Sequence, residues 1–260
     1  MSSDVNNFFS LRNCYNGMNI IITPNEIIFK TRQGETRKNI NITIDDIRSQ
    51  LSQMGYKAPY SNYNYYVYYS QALEDSERLP YINYIYYYLF FLNMKIPSLT
   101  EVVDKYIETY CNIYPNGMID LKPFFGNMGF CFTKEQLTGR IFRAYNSFHR
   151  ELELLFQLRS YEGIYIEYNF QTDLAGIDFT VIYNNKVVCL ASYAHTKRAI
   201  DWKMVKNNSR HDYSNYNMLD LIAVVDSKSP NYNCVSYNGI YLYSPTFVAN
   251  TYIDIVNLTK

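Results

Sequence analysis

A long capped helix followed by alternating segments constrains this chain of 260 residues more than any other feature. The helix starts at FTKEQL, where Thr133 is a good N-cap and Gln136 completes a capping box. We expect it to run to about Arg159. Its buried stripe is predicted from the apolar side chains at helical spacing, which are Ile141, Tyr145, Phe148, Leu152 and Leu155.

The segments after this helix alternate between apolar and polar residues, as half-buried strands do. GIYIEYNF, GIDFTVIY and VVCLASYA are predicted strands, and the NNK before the third indicates a tight hairpin turn. TKRAIDWKMVKNN predicts a helix with Thr196 as its cap. MLDLIAVVDS is a mostly apolar strand, which we expect in the centre of the sheet, and NGIYLYS is a candidate edge strand. The predicted class is α/β (α+β), with a mixed central sheet and the order αβββαβ.

Residues 1–130 are expected to form a separate N-terminal domain of mixed, largely helical α+β structure. NIIITPNEIIFKT and KNINITI alternate like strands, whereas TIDDIRSQLSQMG, LPYINYIYYYLFFLNM and PSLTEVVDKYIETYC predict helices. YSNYNYYVYYS fits either a strand or a helix, and YPNGMIDLKPFFGNMG fits either a linker or a wing-like loop. Such a domain would bind nucleic acid or set specificity, and residues 131–260 would be the catalytic domain.

Charge excludes binding by bulk attraction. Lys plus Arg number 24 and Asp plus Glu also number 24, so the net charge does not draw the chain to nucleic acid or to an anionic membrane. A local basic segment follows the third strand, and it is either a set of phosphate contacts or a solvated helix face. Its candidate nucleic-acid-binding residues are Arg198, Lys203, Lys206 and Arg210.

Cysteine usage and hydropathy point to a cytoplasmic protein. The five cysteines include no CxxC pair, which argues against a zinc site or a disulfide framework. The most apolar run, YINYIYYYLFFLNM, has about 14 residues and is too short to span a bilayer. We therefore expect no membrane association.

The 29 tyrosines indicate either AT-rich coding or an aromatic binding surface.

Acidic and basic residues occur at three points of the predicted core. Asp178 opens the second strand, after Gly176, whose missing side chain leaves room for close backbone approach. Lys197 follows the third strand, and Glu151 and Glu153 flank the apolar stripe of the helix. Carboxylates on neighbouring elements can share a hard cation such as Mg²⁺, which activates water for attack on a phosphodiester.

The element order and motif placement over residues 133–226 resemble the PD-(D/E)xK, or restriction-endonuclease-like, nuclease superfamily. The resemblance implies a metal-dependent DNA endonuclease, of restriction, phage or mobile-element type, with Mg²⁺ or Mn²⁺ as cofactor. Asp178 then matches the strand-two aspartate that ligates the metal, and Lys197 matches the lysine that orients the attacking water. His195 stands where the superfamily has its second acid, which is a departure from the pattern.

The resemblance leaves the remaining ligands open. The first-helix acid is Glu151 or Glu153, with Glu151 preferred, and Asp173 before the second strand is a further candidate metal ligand. The two glutamates also have a structural interpretation, since they can pair on the helix surface with charges such as Arg150. Asp178 is alternatively a solvated turn residue, Lys197 a surface residue and His195 a hydrogen-bonded structural residue.

The missing carboxylate on the third strand favours an alternative class of protein. This is a catalytically degenerate member that binds nucleic acid or a protein partner, such as a phage-encoded inhibitor of host defence. DNA is the first expected partner, and a homodimer would suit cleavage of both strands. The expected location is the cytoplasm of a bacterial or phage-infected cell.

Overall fold

The computed structural model describes residues 19–31, 34–54, 70, 73, 82–122, 130–169, 172, 176–197, 199–201, 204 and 216–260. Its strands are β1 (Asn19–Ile22), β2 (Glu26–Thr31), β3 (Gly34–Asn39), β4 (Cys111–Ile113), β5 (Ile119–Leu121), β6 (Tyr165–Asn169), β7 (Phe179–Tyr183), β8 (Lys186–Ala194), β9 (Asn217–Ala223), β10 (Cys234–Tyr237) and β11 (Ile240–Tyr243). Its helices are α1 (Ile44–Gln53), α2 (Ile82–Asn93), α3 (Leu99–Tyr110), α4 (Lys134–Leu158) and α5 (Pro245–Leu258).

A seven-stranded mixed sheet is the largest feature of the fold, with the order β3-β2-β1-β6-β7-β8-β9. Neighbours pair antiparallel from β3 to β8, and β8 pairs parallel with β9. The predicted α/β class and mixed sheet are therefore present. The N-terminal strands join this sheet because β1 pairs with β6 over four residues.

Contacts divide the chain into two compact units, and this division differs from the predicted boundary at residue 130. The first unit takes in the described residues up to Ile44, then Arg150–Ser236 and Tyr241–Lys260. The second consists of Asp45–His149 and Tyr237–Ile240. The difference arises because β1, β2 and β3 pair with the C-terminal strands rather than with the helices that follow them.

The expectation that MLDLIAVVDS lies in the centre of the sheet is wrong. It forms β9, which is the last strand of the sheet in the described part of the chain. Asn217 and Asp220 are exposed, whereas Leu221 and Ala223 are buried. The apolar residues of β9 therefore reflect the burial of one face of the strand, and they do not indicate a neighbouring strand on each side of it.

Helix α4 begins as the sequence predicts. The Thr133 N–H donates to Gln136 Oε1 at 2.9 Å, and the Gln136 N–H donates to Thr133 Oγ1 at 3.2 Å, which confirms the capping box. The predicted apolar stripe is buried. From Phe148 to Phe156 every residue is buried, so the helix also carries ionisable side chains into the interior.

The second unit contains α1, α2, α3, a small hairpin and α4 as far as His149. Ser98 and Glu101 form a reciprocal capping box at the start of α3. The segment predicted as a linker or a wing-like loop contributes the turn at residues 114–118 and β5, which pairs with the preceding strand β4. Residues 123–129, and YSNYNYYVYYS apart from Ser70, lie outside the described residues.

Strand β10 and helix α5, near the C-terminus, were not predicted, whereas NGIYLYS was predicted as an edge strand. NGIYLYS supplies β11, which pairs with β10 in a separate two-stranded sheet rather than at an edge of the main one. Helix α5 follows, with Ser244 as N-cap accepting from the Phe247 N–H and Pro245 at its first position. Both cap signals are present in the sequence.

Candidate active site

Asp178 stands at an irregular point of the sheet, one residue before β7. Gly176 has a φ of 86°, in the left-handed region that glycine adopts without strain. Phe179 pairs with Leu190, and the Asp178 N–H also donates to the Leu190 carbonyl at 2.9 Å. Two consecutive residues therefore face one residue of β8, which is the arrangement of a β-bulge. Bulges change the direction of a side chain relative to strict strand alternation.

The Asp178 carboxylate is directed toward β8. Its Oδ2 accepts the backbone N–H of Ser192 at 2.5 Å. A carboxylate that accepts a backbone N–H makes a strong, charge-assisted bond. This bond fixes the carboxylate close to where the pairing of β7 with β8 ends. Asp178 is half-buried, so water still reaches it.

A chain of hydrogen bonds continues from Ser192 into the interior. Tyr243 donates its hydroxyl proton to the Leu221 carbonyl at 2.7 Å, and the Ser192 and Tyr243 hydroxyl oxygens are 3.0 Å apart. Since a phenol has one proton, Ser192 is the donor in the second contact. Burial raises the pKa of Tyr243 well above its usual value. The phenol therefore stays neutral at physiological pH.

The two candidate glutamates of α4 have different surroundings. Glu151 is buried, and its negative charge adds to the larger effect of burial in raising the pKa of Tyr243. Glu153 is fully buried, and its two carboxylate oxygens accept from Gln157 Nε2 at 2.7 and 2.8 Å. Glu151 therefore lies near the tyrosine that hydrogen-bonds Ser192, whereas Glu153 bonds to its own helix.

His195 and Lys197 follow β8 at the surface. The His195 N–H donates to the Ala223 carbonyl at 2.9 Å, and its side chain is exposed. Lys197 is also exposed and starts a helical segment capped by Thr196, whose Oγ1 accepts from the Ala199 N–H at 3.2 Å. Thr196 is thus confirmed as a cap. No described contact joins either side chain to Asp178, and their predicted roles stay predictions.

The remaining candidates lie outside the described residues or side chains. These are Asp173, Arg198, Lys203, Lys206 and Arg210. Among the described residues there is no group of three or more His, Cys, Asp or Glu side chains that could hold a metal ion. A complete ligand set would therefore need a contribution from a residue such as Asp173, or from backbone and water oxygens.

Sequence reasoning missed three residues of this region. Ser192 and Tyr243 carry the hydrogen bonds described above, and Arg150 lies with its guanidinium 5.8 Å from the centre of the Tyr243 ring. Tyr243 comes from β11, 51 positions from Ser192, so no local pattern joins them. The His149-Arg150-Glu151 run gave no signal of burial, because three ionisable residues between the stripe residues Phe148 and Leu152 are typical of the polar face of a helix.

No family model matches the chain, and neither a curated protein nor a solved structure matches it. Within the described part of the chain, no helix combines the length and the apolar character needed to cross a membrane. The class that the fold defines is a mixed α/β protein built around one large mixed sheet.

Proposed function

We propose that this protein is a metal-dependent nuclease that hydrolyses DNA phosphodiesters beside Asp178. The observation that carries the proposal is the Asp178 carboxylate, half-buried at a bulge and bonded to the Ser192 N–H. Glu151 is a buried residue of the preceding helix, and its negative charge contributes to the raised pKa of Tyr243. The Tyr243 hydroxyl is hydrogen-bonded to the same serine. The order α4, β6, β7, β8, β9, with β8 and β9 parallel, supports the superfamily resemblance.

The oxygen donors of the candidate site are of the type that a hard cation binds. Asp178 and Glu151 both offer carboxylate oxygens, which Mg²⁺ and Mn²⁺ prefer. When bound, such an ion would screen the phosphate charge and lower the pKa of a water. Two protein carboxylates are few for a closed site, but Mg²⁺ usually keeps several waters and uses one or two carboxylates. Asp173 would complete the set.

The chain's own residues would perform the remaining steps. The Ser192 N–H restrains the Asp178 carboxylate and so fixes the orientation of the whole group. Lys197 is exposed and cationic, which suits it to contact a phosphate oxygen or to orient a water. Water attack on phosphorus breaks the bond to a sugar oxygen, which leaves as the alcohol after protonation. The products are two nucleic-acid ends, one of which carries the phosphate.

Supercoiled plasmid incubated with Mg²⁺ or Mn²⁺ tests this proposal. Wild type should convert it to nicked and linear forms, and Asp178→Asn should lose at least about 100-fold in rate. Glu151→Gln should lose about 10- to 100-fold, whereas Glu153→Gln should stay close to wild type because Glu153 bonds to Gln157. Asp254→Asn, an exposed change on α5, is the matched control.

Plasmid and RNA that stay intact with both metals would contradict hydrolysis. They would favour the second candidate, a protein of this fold that binds nucleic acid or a protein partner without cutting. One observation supports that alternative: the predicted strand of the second acid, β8, has no carboxylate in its sequence KVVCLASYA. Metal-independent retention of a labelled duplex in a gel-shift assay would distinguish nucleic acid from a protein partner.

A further inference from the structure

A buried arginine in α4 has no anionic partner among the residues that the structure describes. Arg150 is 5 % exposed, and its Nε is buried without a hydrogen-bond acceptor. No ion pair of Arg150 is present among the described residues. Arginines are almost never buried without a partner, because removing a cation from water costs several kcal/mol unless an anion or acceptors replace the water.

The groups around the Arg150 guanidinium are mostly neutral. It lies 5.8 Å from the centre of the Tyr243 ring, and its charge partly offsets the effect of burial on the pKa values of Tyr243 and Cys234. Both groups are neutral at physiological pH because burial raises their pKa values, that of Cys234 to about 11. The tyrosine ring offers a cation–π contact, which replaces only part of the lost hydration.

The negative charge next in sequence does not pair with this arginine. Glu151 follows Arg150 directly, and consecutive helix residues project about 100° apart. The two side chains form no ion pair in the structure. The charge of Glu151 instead contributes to the raised pKa of Tyr243. One negative charge therefore lies near Tyr243, but it does not contact the Arg150 guanidinium. The Arg150 donors thus remain available for an external acceptor.

We infer that Arg150 is the anchor of an oxyanion site for a ligand of the phosphate class. The guanidinium presents several N–H donors in a planar fork that matches two oxygens of a phosphate. The 5 % residual exposure of Arg150 leaves a narrow opening to solvent at this side chain. A bound phosphate would supply the counter-charge that the described residues lack.

Inorganic phosphate is the probe for this inference, used without any divalent metal. At equal ionic strength, saturating sodium phosphate should raise the Tm of wild type by roughly 5–10 °C over sodium chloride. Arg150→Met should lose this gain, and in chloride its Tm should equal or exceed that of wild type, because an unpaired buried charge has been removed. Arg37→Met, at an exposed arginine of β3, should keep the full gain.

Isothermal titration with Arg150→Lys covers the case in which the methionine variant fails to fold. Lysine keeps the charge and loses the fork, so phosphate should bind about ten-fold more weakly. A short oligothymidylate distinguishes the sources of the phosphate group: competition with inorganic phosphate indicates a backbone phosphodiester as ligand, and no competition indicates free phosphate. Equal stabilisation by phosphate and chloride in wild type, or an undiminished gain in Arg150→Met, would overturn the inference.

These measurements are independent of the proposed nuclease activity. They contain no Mg²⁺ or Mn²⁺ and require no cleavage, so Asp178→Asn should keep the phosphate-dependent gain in Tm. A protein that binds phosphate at Arg150 and never cuts DNA would refute only the nuclease proposal. A protein that cuts DNA and shows no Arg150-dependent phosphate binding would refute only this one.

Discussion

At the scale of single residues, a backbone irregularity determines where the candidate site residue Asp178 lies. Gly176 in a left-handed conformation precedes a bulge, and the bulge directs Asp178 toward the Ser192 N–H. The sequence did indicate Asp178 and its preceding glycine. It did not indicate Ser192 as the partner, because a bulge shifts the pairing by one residue and leaves no alternation pattern to read.

Another glycine takes a positive φ in a crowded place. A Cβ on Gly163, which has a φ of 76°, would lie 3.2 Å from the Tyr183 ring. That ring meets Tyr252 edge-on at 6.1 Å, and Tyr252 stacks on Tyr161 at 4.1 Å, so it has little freedom to move. Gly117 has a similar φ of 79° with open space around it.

Comparison of the two glycines separates backbone strain from steric contact. Gly117→Ala should lower the free energy of unfolding by about 1 kcal/mol, and Gly163→Ala by about 2 kcal/mol or more. Urea unfolding followed by circular dichroism measures both. Equal losses would show that the Tyr183 ring yields to the added methyl group, contrary to the packing described here.

The buried histidine of α4 links stability to pH. His149 Nδ1 is 2.6 Å from the Tyr86 hydroxyl, and burial lowers the pKa of His149 to about 3. In the unfolded chain its pKa is about 6.5. Above pH 6.5 the imidazole is neutral in both states and has no effect. Below it the unfolded state takes up the proton first, so stability falls toward pH 3.

His149→Gln should remove this component of the pH dependence. Between pH 6 and pH 4, wild type should lose up to about 1.4 kcal/mol per pH unit more than the variant. The difference in urea midpoints between the two proteins isolates the histidine from the carboxylates, which titrate in both. Parallel pH profiles for the two proteins would show that His149 is protonated in the folded state.

At the scale of elements, signals that lie close together in sequence were sufficient for α4 and the β7–β8 hairpin. The Thr133 capping box and the Asn184-Asn185 turn, whose φ values are 50° and 60°, need no distant partner. The position of β9 was not predictable in this way. Its apolar residues indicate burial, but burial does not reveal how many strands lie beside it.

In helix α5, the cap residues indicate a helix where amphipathic periodicity does not. Ser244 and Pro245 mark a helix start, yet the segment that follows carries a single charge, Asp254, and little polar contrast between its faces. Amphipathic periodicity is therefore weak there. The cap residues alone contained the information that the periodicity did not give.

At the scale of the whole molecule, pairing between distant segments sets the architecture. Strand β1 lies beside β6, and Ile20 and Ile22 on it are fully buried. Arg159 donates to the carbonyls of Pro24 and Ile42 at 2.5 and 3.2 Å. Such long-range contacts leave no periodic mark in either segment, so sequence patterns do not reveal them.

A fragment of residues 131–260 should therefore not fold as a separate domain. Without β1–β3, the edge of β6 is unpaired and the apolar surface that covers Ile20 and Ile22 is exposed to water. We expect aggregation, or a thermal transition without cooperativity, in calorimetry. A sharp cooperative transition and a dispersed NMR spectrum from this fragment would contradict the assignment of the N-terminal strands to the sheet.

Direct binding of Mn²⁺, measured by the electron paramagnetic resonance signal of the free ion, tests the central claim that Asp178 belongs to a metal-holding acidic site. Added wild-type protein should reduce the signal with saturable stoichiometry. Asp178→Asn should weaken the affinity by about 10- to 100-fold, and Asp254→Asn should match wild type. A wild-type protein that leaves the Mn²⁺ signal unchanged, or equal binding by Asp178→Asn, would contradict the claim.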